Sequence, residues 1–165
     1  MNLKTEKQSM EKSPSGDKKK VKGIKKILEK SEKSLIIIKP DGVKNKVVGK
    51  IISRFENAGL EIERIRVLEI DKSIAYTHYN EHEGKPYFER LINYMTSGPS
   101  IVLIIKGKDA ISKSRTLMGP TDPNIAPKGT IRADYGSDIT INVIHGSDSL
   151  DSAEREINIF FGNYL

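Results

Sequence analysis

The chain has no cysteine among its 165 residues, so it forms neither disulfides nor a thiolate metal site, which fits a reducing compartment. It also lacks any apolar run near the roughly 18 residues that cross a bilayer. Its first residues have no apolar core of the secretory kind, and a cytoplasmic protein without a transmembrane segment is expected. Arginine is missing from residues 1–33, which argues against an organelle-transit sequence. Most of the chain lacks any excess of charge as well. The formal charge of +6 lies in residues 1–33, with 11 lysines against 5 acidic groups, whereas residues 34–165 carry 17 of each sign.

What is present divides along the same line. Residues 1–20 hold Lys, Ser, Glu and Asp with little to bury, so nothing offsets the entropy of ordering them and disorder is expected. Val21, Ile24, Ile27 and Leu28 recur at helical spacing among lysines, a pattern for a short basic helix that forms on contact. Residues 1–33 are thus expected to be a disordered Lys-rich extension able to meet nucleic acid or an anionic surface. Residues 34–165 are expected to be one folded domain.

In that domain Leu35–Ile38 reads as a short buried strand closed by Pro40-Asp41-Gly42. Val48, Ile51, Ile52 and Phe55 fall at helical spacing up to a stop at Gly59, and Ile62–Ile70 form a second strand. Tyr76, Tyr79, Phe88, Leu91 and Met95 mark a helical stretch broken at Gly84-Lys85-Pro86, whose glutamates suggest that His78 and His82 face solvent. Ile101–Ile105 is a third strand, and Asp109 can cap a helix running through Leu117. Residues 119–138 show no periodicity, and a loop of that length is more often functional than accidental. Ile139–Ile144 alternates as a fourth strand before a helix carrying Leu150, Ala153, Ile157 and Phe160. This order predicts an α+β fold: a ferredoxin-like, four-stranded antiparallel sheet with helices covering one face.

His145 stands where the last strand passes into the last helix, followed by Gly146, Ser147 and Asp148. A neutral imidazole nitrogen can attack phosphorus near neutral pH and later release the phosphoryl group. Asn142 and His145, three apart, would point to opposite faces of an ideal strand, so the strand is expected to twist or end there.

The string Asn142-x-x-His145-Gly146-Ser147-Asp148 resembles the active-site signature of the nucleoside diphosphate kinase family. The resemblance runs from Leu35 to Phe161 and includes Ile38-Lys39-Pro40-Asp41-Gly42-Val43, Ser97-Gly98-Pro99 and Gly129-Thr130-Ile131-Arg132 in the family's order. It implies that residues 34–165 are a catalytic domain passing the γ-phosphate of ATP, through a phosphohistidine on His145, to nucleoside and deoxynucleoside diphosphates. It further implies Mg²⁺ as cofactor and a homo-oligomer, a hexamer in preference to a tetramer. By the same resemblance Glu156 bonds the other ring nitrogen of His145, Ser147 places a hydroxyl beside both, and Lys39 reaches the sugar and terminal phosphate. Arg115, Thr121 and Arg132 form the phosphate clamp, and Asn142 meets the ribose hydroxyls. Tyr87 and Ile139 sandwich the base, Leu91 lies beside Tyr87, and Tyr79 bonds near Lys39 or a phosphate. Asp148 is placed to hold Mg²⁺ through water, although capping the last helix suits it equally.

Three substitutions depart from the usual pattern without removing a catalytic group: Ile141 for Arg, Ala133 for Gly, and Lys128 for Pro. The competing reading is a non-catalytic nucleic-acid-binding or regulatory protein on the same fold. Leu35–Ile38 and Ile101–Ile105 lack the aromatics by which such sheets stack bases.

Overall fold

The computed structural model describes residues 31–162. The expected disorder of residues 1–20, and the amphipathic helix up to residue 30, lie outside the described residues. Ser31, Glu32 and Lys33 are not tail, however. They open strand β1 (Ser31–Ile38), four residues ahead of Leu35, and Lys33 pairs with Glu63 at 3.2 Å. Lys33, assigned from charge to the disordered extension, is thereby held at the sheet.

After β1 come α1 (Pro40–Lys44), α2 (Val48–Asn57), β2 (Glu61–Glu69), α3 (Lys72–His78), a 3₁₀ turn (Asn80–His82) and α4 (Phe88–Met95). Then follow β3 (Pro99–Lys108), α5 (Ala110–Met118), a second 3₁₀ turn (Pro123–Ile125), α6 (Ile131–Tyr135), β4 (Ile144–Gly146) and α7 (Leu150–Phe161). The four strands pair antiparallel in the order β2-β3-β1-β4, which bears out the α+β, ferredoxin-like class.

The helices cover both faces of this sheet rather than the one expected. Ile36 and Ile38 pack with Ile51 and Phe55 of α2 and Met118 of α5. Leu35 and Ile37 pack with Ala75 of α3, Ile92 and Met95 of α4, and Ile157 and Phe160 of α7. Successive strand side chains alternate sides, so a strand apolar at every position, as β1 is from Leu35 to Ile38, is buried on both.

Two further expectations change. Residues 119–138 are not structureless, since α6 and the second 3₁₀ turn lie within them, too short to show a period. Asp109 sits at the N-cap of α5 but its side chain caps nothing, because its backbone is left-handed at φ 55°. The Glu32 carboxylate accepts from the Ile111 amide instead, at 3.3 Å.

Candidate active site

β4 is only three residues long, so His145 lies within a strand and not on the connection after it. Its Cα partner is Ile37, with Gly146 opposite Ile36. Residues opposite one another share a face, so the His145 ring stands on the side of α3 and α7. Gly146 points the other way, where an added Cβ would come within 2.6 Å of the Met118 sulfur and 3.1 Å of Ile36. Only glycine lets β4 lie this close to α5.

The expected break between Asn142 and His145 is a γ-turn. The Ile144 amide donates to the Asn142 carbonyl at 2.8 Å, and Val143 between them has φ 68°. A β-branched residue rarely adopts this conformation, and it persists only where neighbours hold it. Here the Lys39 amide donates to the Val143 carbonyl at 2.9 Å, and Val143 presses on Gly42, where a Cβ would meet it at 2.9 Å. The turn joins the end of β1 to the start of β4 and brings Lys39 beside Asn142.

On the α7 side, His145 Nε2 lies 3.1 Å from Glu156 Oε1. Ser147 donates to Glu156 Oε2 at 2.6 Å and accepts from the Leu35 amide at 3.0 Å. Glu156 is 3% exposed, and Arg155 Nη2 stands 3.8 Å from its Oε1. A carboxylate can only accept, so Nε2 carries the ring proton and Nδ1 keeps its lone pair.

Across from this pair are two buried cations. Lys39 donates from Nζ to Asn142 Oδ1 at 2.7 Å and lies over the Tyr94 ring, whose hydroxyl donates to Asp41. Burial lowers Lys39 to about 7, helped by Arg132 and opposed by Asp41. Arg132 donates from Nη1 to the Gly119 carbonyl at 2.8 Å and from Nη2 to the Ile144 carbonyl at 3.0 Å. Its Nε is buried without a partner, and burial, then Arg115, lowers its pKa to about 10. Asn142 is buried and donates both amide protons inward, to the Thr121 and Ile139 carbonyls at 3.1 and 2.9 Å.

The other residues singled out from sequence lie further out. Arg115 and Thr121 are exposed. Tyr87 and Ile139, 43% and 60% exposed, are outside the core, and the Arg90–Asp138 ion pair at 2.9 Å ties their two segments together. Leu91 is buried in the core beneath Tyr87. Tyr79 is buried, its hydroxyl lacks a partner, and burial drives its pKa up. Asp148 is exposed and its carboxyl is held low, first by the Ser152 hydroxyl, then by Ser149 and Arg115. Ser149, not Asp148, caps α7, accepting from the Ser152 amide at 3.1 Å. A cavity of about 520 Å³ opens between Asp41, Tyr94, Gly98 and Ile141, but His145 and Arg132 are not in its lining.

His78 is the largest correction. It does not face solvent: it is 2% exposed and lies edge-on to His145, with ring centroids 4.7 Å apart. Its spacing from Ala75 along α3 puts both on the buried stripe, a signal that the surrounding glutamates obscured. Tyr94, Asp41 and Val143 were also missed, because their parts depend on contacts between distant segments.

The nucleoside diphosphate kinase family model matches residues 32–164. A nucleoside diphosphate kinase of Methanobrevibacter smithii is 52% identical over 130 residues, covering 79% of this chain and 87% of its own. One of Methanocaldococcus jannaschii is 49% identical, covering 79% and 93%. Among solved structures, a halophilic nucleoside diphosphate kinase from Halobacterium salinarum in complex with CDP aligns with TM-score 0.79 at 43% identity, over 81% of this chain and 90% of that one. The Aquifex aeolicus nucleoside diphosphate kinase gives 0.77 at 37% identity, over 81% and 97%. The fold, the histidine paired with a buried glutamate and these likenesses agree: the chain belongs to the nucleoside diphosphate kinase family.

Proposed function

We propose that this chain transfers the γ-phosphate of ATP to nucleoside and deoxynucleoside diphosphates in two steps, through a phosphohistidine on His145. The observation that carries this reading is the His145–Glu156–Ser147 chain of hydrogen bonds, which leaves Nδ1 as the free nucleophile. Attack by Nδ1 on the γ-phosphorus expels ADP and places positive charge on the ring, which Glu156 balances through Nε2. The second diphosphate then takes the phosphoryl group by the reverse displacement.

Lys39 and Arg132 neutralise the transferring oxygens. Arg132 has N–H groups left after its two carbonyl bonds, including the buried Nε, and a phosphate oxygen satisfies that orphan donor. Arg115 and the Thr121 hydroxyl, both exposed, close the clamp from outside. Because Asn142 donates both amide protons inward, it meets a ribose hydroxyl as acceptor, through the second lone pair of Oδ1. Tyr87 and Ile139 offer apolar faces without hydrogen-bond readout, which suits acceptance of every common base. Leu91 supports Tyr87 from one helical turn on, and the unpartnered Tyr79 hydroxyl is available to a phosphate.

Asp148, exposed and held ionised, is the oxygen donor that suits Mg²⁺. It would hold the ion through water beside the nucleotide's phosphates, and the ion would neutralise phosphate charge. β2 is an edge strand with Ile65 54% and Val67 72% exposed, which supports assembly of copies, and the family resemblance is what favours a hexamer over a tetramer. Light scattering distinguishes a mass of six copies from four. No described helix is long and apolar enough to cross a membrane, and the absence of cysteine supports a cytoplasmic location. The Lys-rich extension would add salt-sensitive attraction to polyanions.

Incubation with γ-labelled ATP tests the central step. An acid-labile, alkali-stable label on the protein is expected; an acid-stable label places the chemistry on another residue type.

A further inference from the structure

His78 is a buried imidazole with no hydrogen bond at either nitrogen. Its ring lies edge-on to three others: Tyr79 at 4.4 Å, His145 at 4.7 Å and Phe160 at 5.1 Å between centroids. Leaving both nitrogens of a 2% exposed ring unpartnered is unfavourable, and such groups need an explanation. Burial first, then the repulsion that a charge on His145 or Arg155 would exert on a second charge, keep the His78 ring neutral, so one nitrogen retains a lone pair.

One nitrogen of His78, one of His145 and one oxygen of Glu156 all lie within 4.8 Å of one another. We propose that His78, His145 and Glu156 form a site for a borderline transition-metal ion, Zn²⁺ by preference, which withholds His145 from phosphorylation. Two imidazoles and a carboxylate are zinc-type ligands, whereas Mg²⁺ prefers oxygen and keeps its waters. Zinc bonds of about 2.0–2.2 Å make the edge of a tetrahedron about 3.3 Å long. His145 Nε2 and Glu156 Oε1 already stand 3.1 Å apart. The third ligand must close by roughly 1.5 Å at most on that zinc geometry, and the His78 ring has no hydrogen bond to give up. His145 is 22% exposed in its side chain, so a water can complete the fourth position. Arg155, which donates to the His78 carbonyl at 3.5 Å and stands 3.8 Å from Glu156 Oε1, opposes a dication, but at 39% exposure it can turn outward by giving up those two long contacts.

Binding either nitrogen of His145 has the same result. If the metal takes the Nε2 lone pair, the ring's one proton moves to Nδ1 and blocks attack there. If the metal takes Nδ1, the attacking lone pair is consumed. This consequence rests on the transfer reading above; the metal site itself does not.

The experiment uses the full-length protein. The chain holds three histidines, so imidazole NMR resonances can be assigned to His78, His82 and His145. Titration with Zn²⁺ is expected to move His78 and His145 together at one equivalent and to leave His82 in place. Movement of His82 without His78 overturns the proposal. Competition against a chromophoric chelator should show binding weakened more than about 100-fold in H78F, beyond the 10–100-fold expected for loss of an outer partner. Unchanged zinc affinity in H78F also overturns it, and H78Q serves if H78F is poorly folded. Labelling by γ-labelled ATP should fall in step with zinc occupancy and return with a zinc-selective chelator. Full labelling at full occupancy overturns the inhibitory role. Absence of label even without zinc overturns the transfer reading and leaves the NMR result to judge the site.

Discussion

The two faces of the sheet are buried to the same degree and built from different chemistry. Beneath α2 and α5 the buried side chains are mostly apolar, from Ile36 and Ile38 to Phe55 and Met118, and the buried hydroxyls of Ser34 and Ser114 both donate to backbone carbonyls. Beneath α3 and α7 an equally buried cluster is interrupted by His78, Ser147, Glu156 and the Tyr79 hydroxyl, and some of these polar atoms have no partner. One face holds the strands in place; the other carries the reactive groups at some expense in stability. Substitutions on the first should therefore change stability, and on the second activity.

His145→Ala is the sharpest test of that division. Transfer between ATP and GDP should fall to background while the protein stays folded, its thermal unfolding lowered only by the lost edge contact with His78 and the lost bond to Glu156. A mutant that still transfers phosphate at the parent rate overturns the mechanism. Phe55→Ala, on the apolar face, should lower stability by about 3–5 kcal/mol through lost burial and a cavity. Its activity per folded molecule, corrected by denaturant titration, should be unchanged; a parallel loss of turnover would erase the distinction between the faces.

Glu156→Gln keeps the shape but weakens support for the imidazole, and should slow transfer by about 10–100-fold, the range for partners that orient a histidine. ADP affinity, measured by calorimetry, should hardly move. Lys39 supplies a smaller, pH-dependent effect. With its pKa lowered to about 7 in the free site, it is largely neutral above that pH, and a bound phosphate restores its proton. ADP affinity should be flat below pH 7 and fall as pH rises above it, by at most about tenfold per unit for one proton taken up. A flat profile from pH 7 to 9 would show that Lys39 does not meet the phosphate. The smallest effect is expected from deleting residues 1–30, which spares all of β1: transfer should stay near the parent rate, checked in the same assay. Deleting residues 1–33 instead removes the start of β1 and should cost some stability.

The fourth strand, expected over residues 139–144, is confined to Ile144–Gly146 because the turn at Val143 breaks it, whereas β1 and β3 were legible because both are apolar at consecutive positions, the pattern of a strand covered on both sides. The same fact argues for two helical layers, but periodicity along each helix says nothing about which side of the sheet it takes. In the site, His145, Glu156, Lys39 and Asn142 were readable as a set through the family resemblance, and the structure brings them together. The γ-turn at Val143 was foreseen only as a break, since valine disfavours the conformation it adopts. His78 was misread because local charge dominated the stretch, while its burial depends on β4 and α7, far along the chain.

The bond between the Leu35 amide and the Ser147 hydroxyl spans 112 positions of sequence. Ser147 also holds Glu156, so the site closes only when the last strand and helix dock against the first strand. Loop closure over such a distance is entropically late and slow. During refolding, phosphoryl transfer should therefore return with the final phase, after helical signal has recovered. On a ribosome, the enzyme stays silent until α7 has emerged, so its activity reports the docking of that helix.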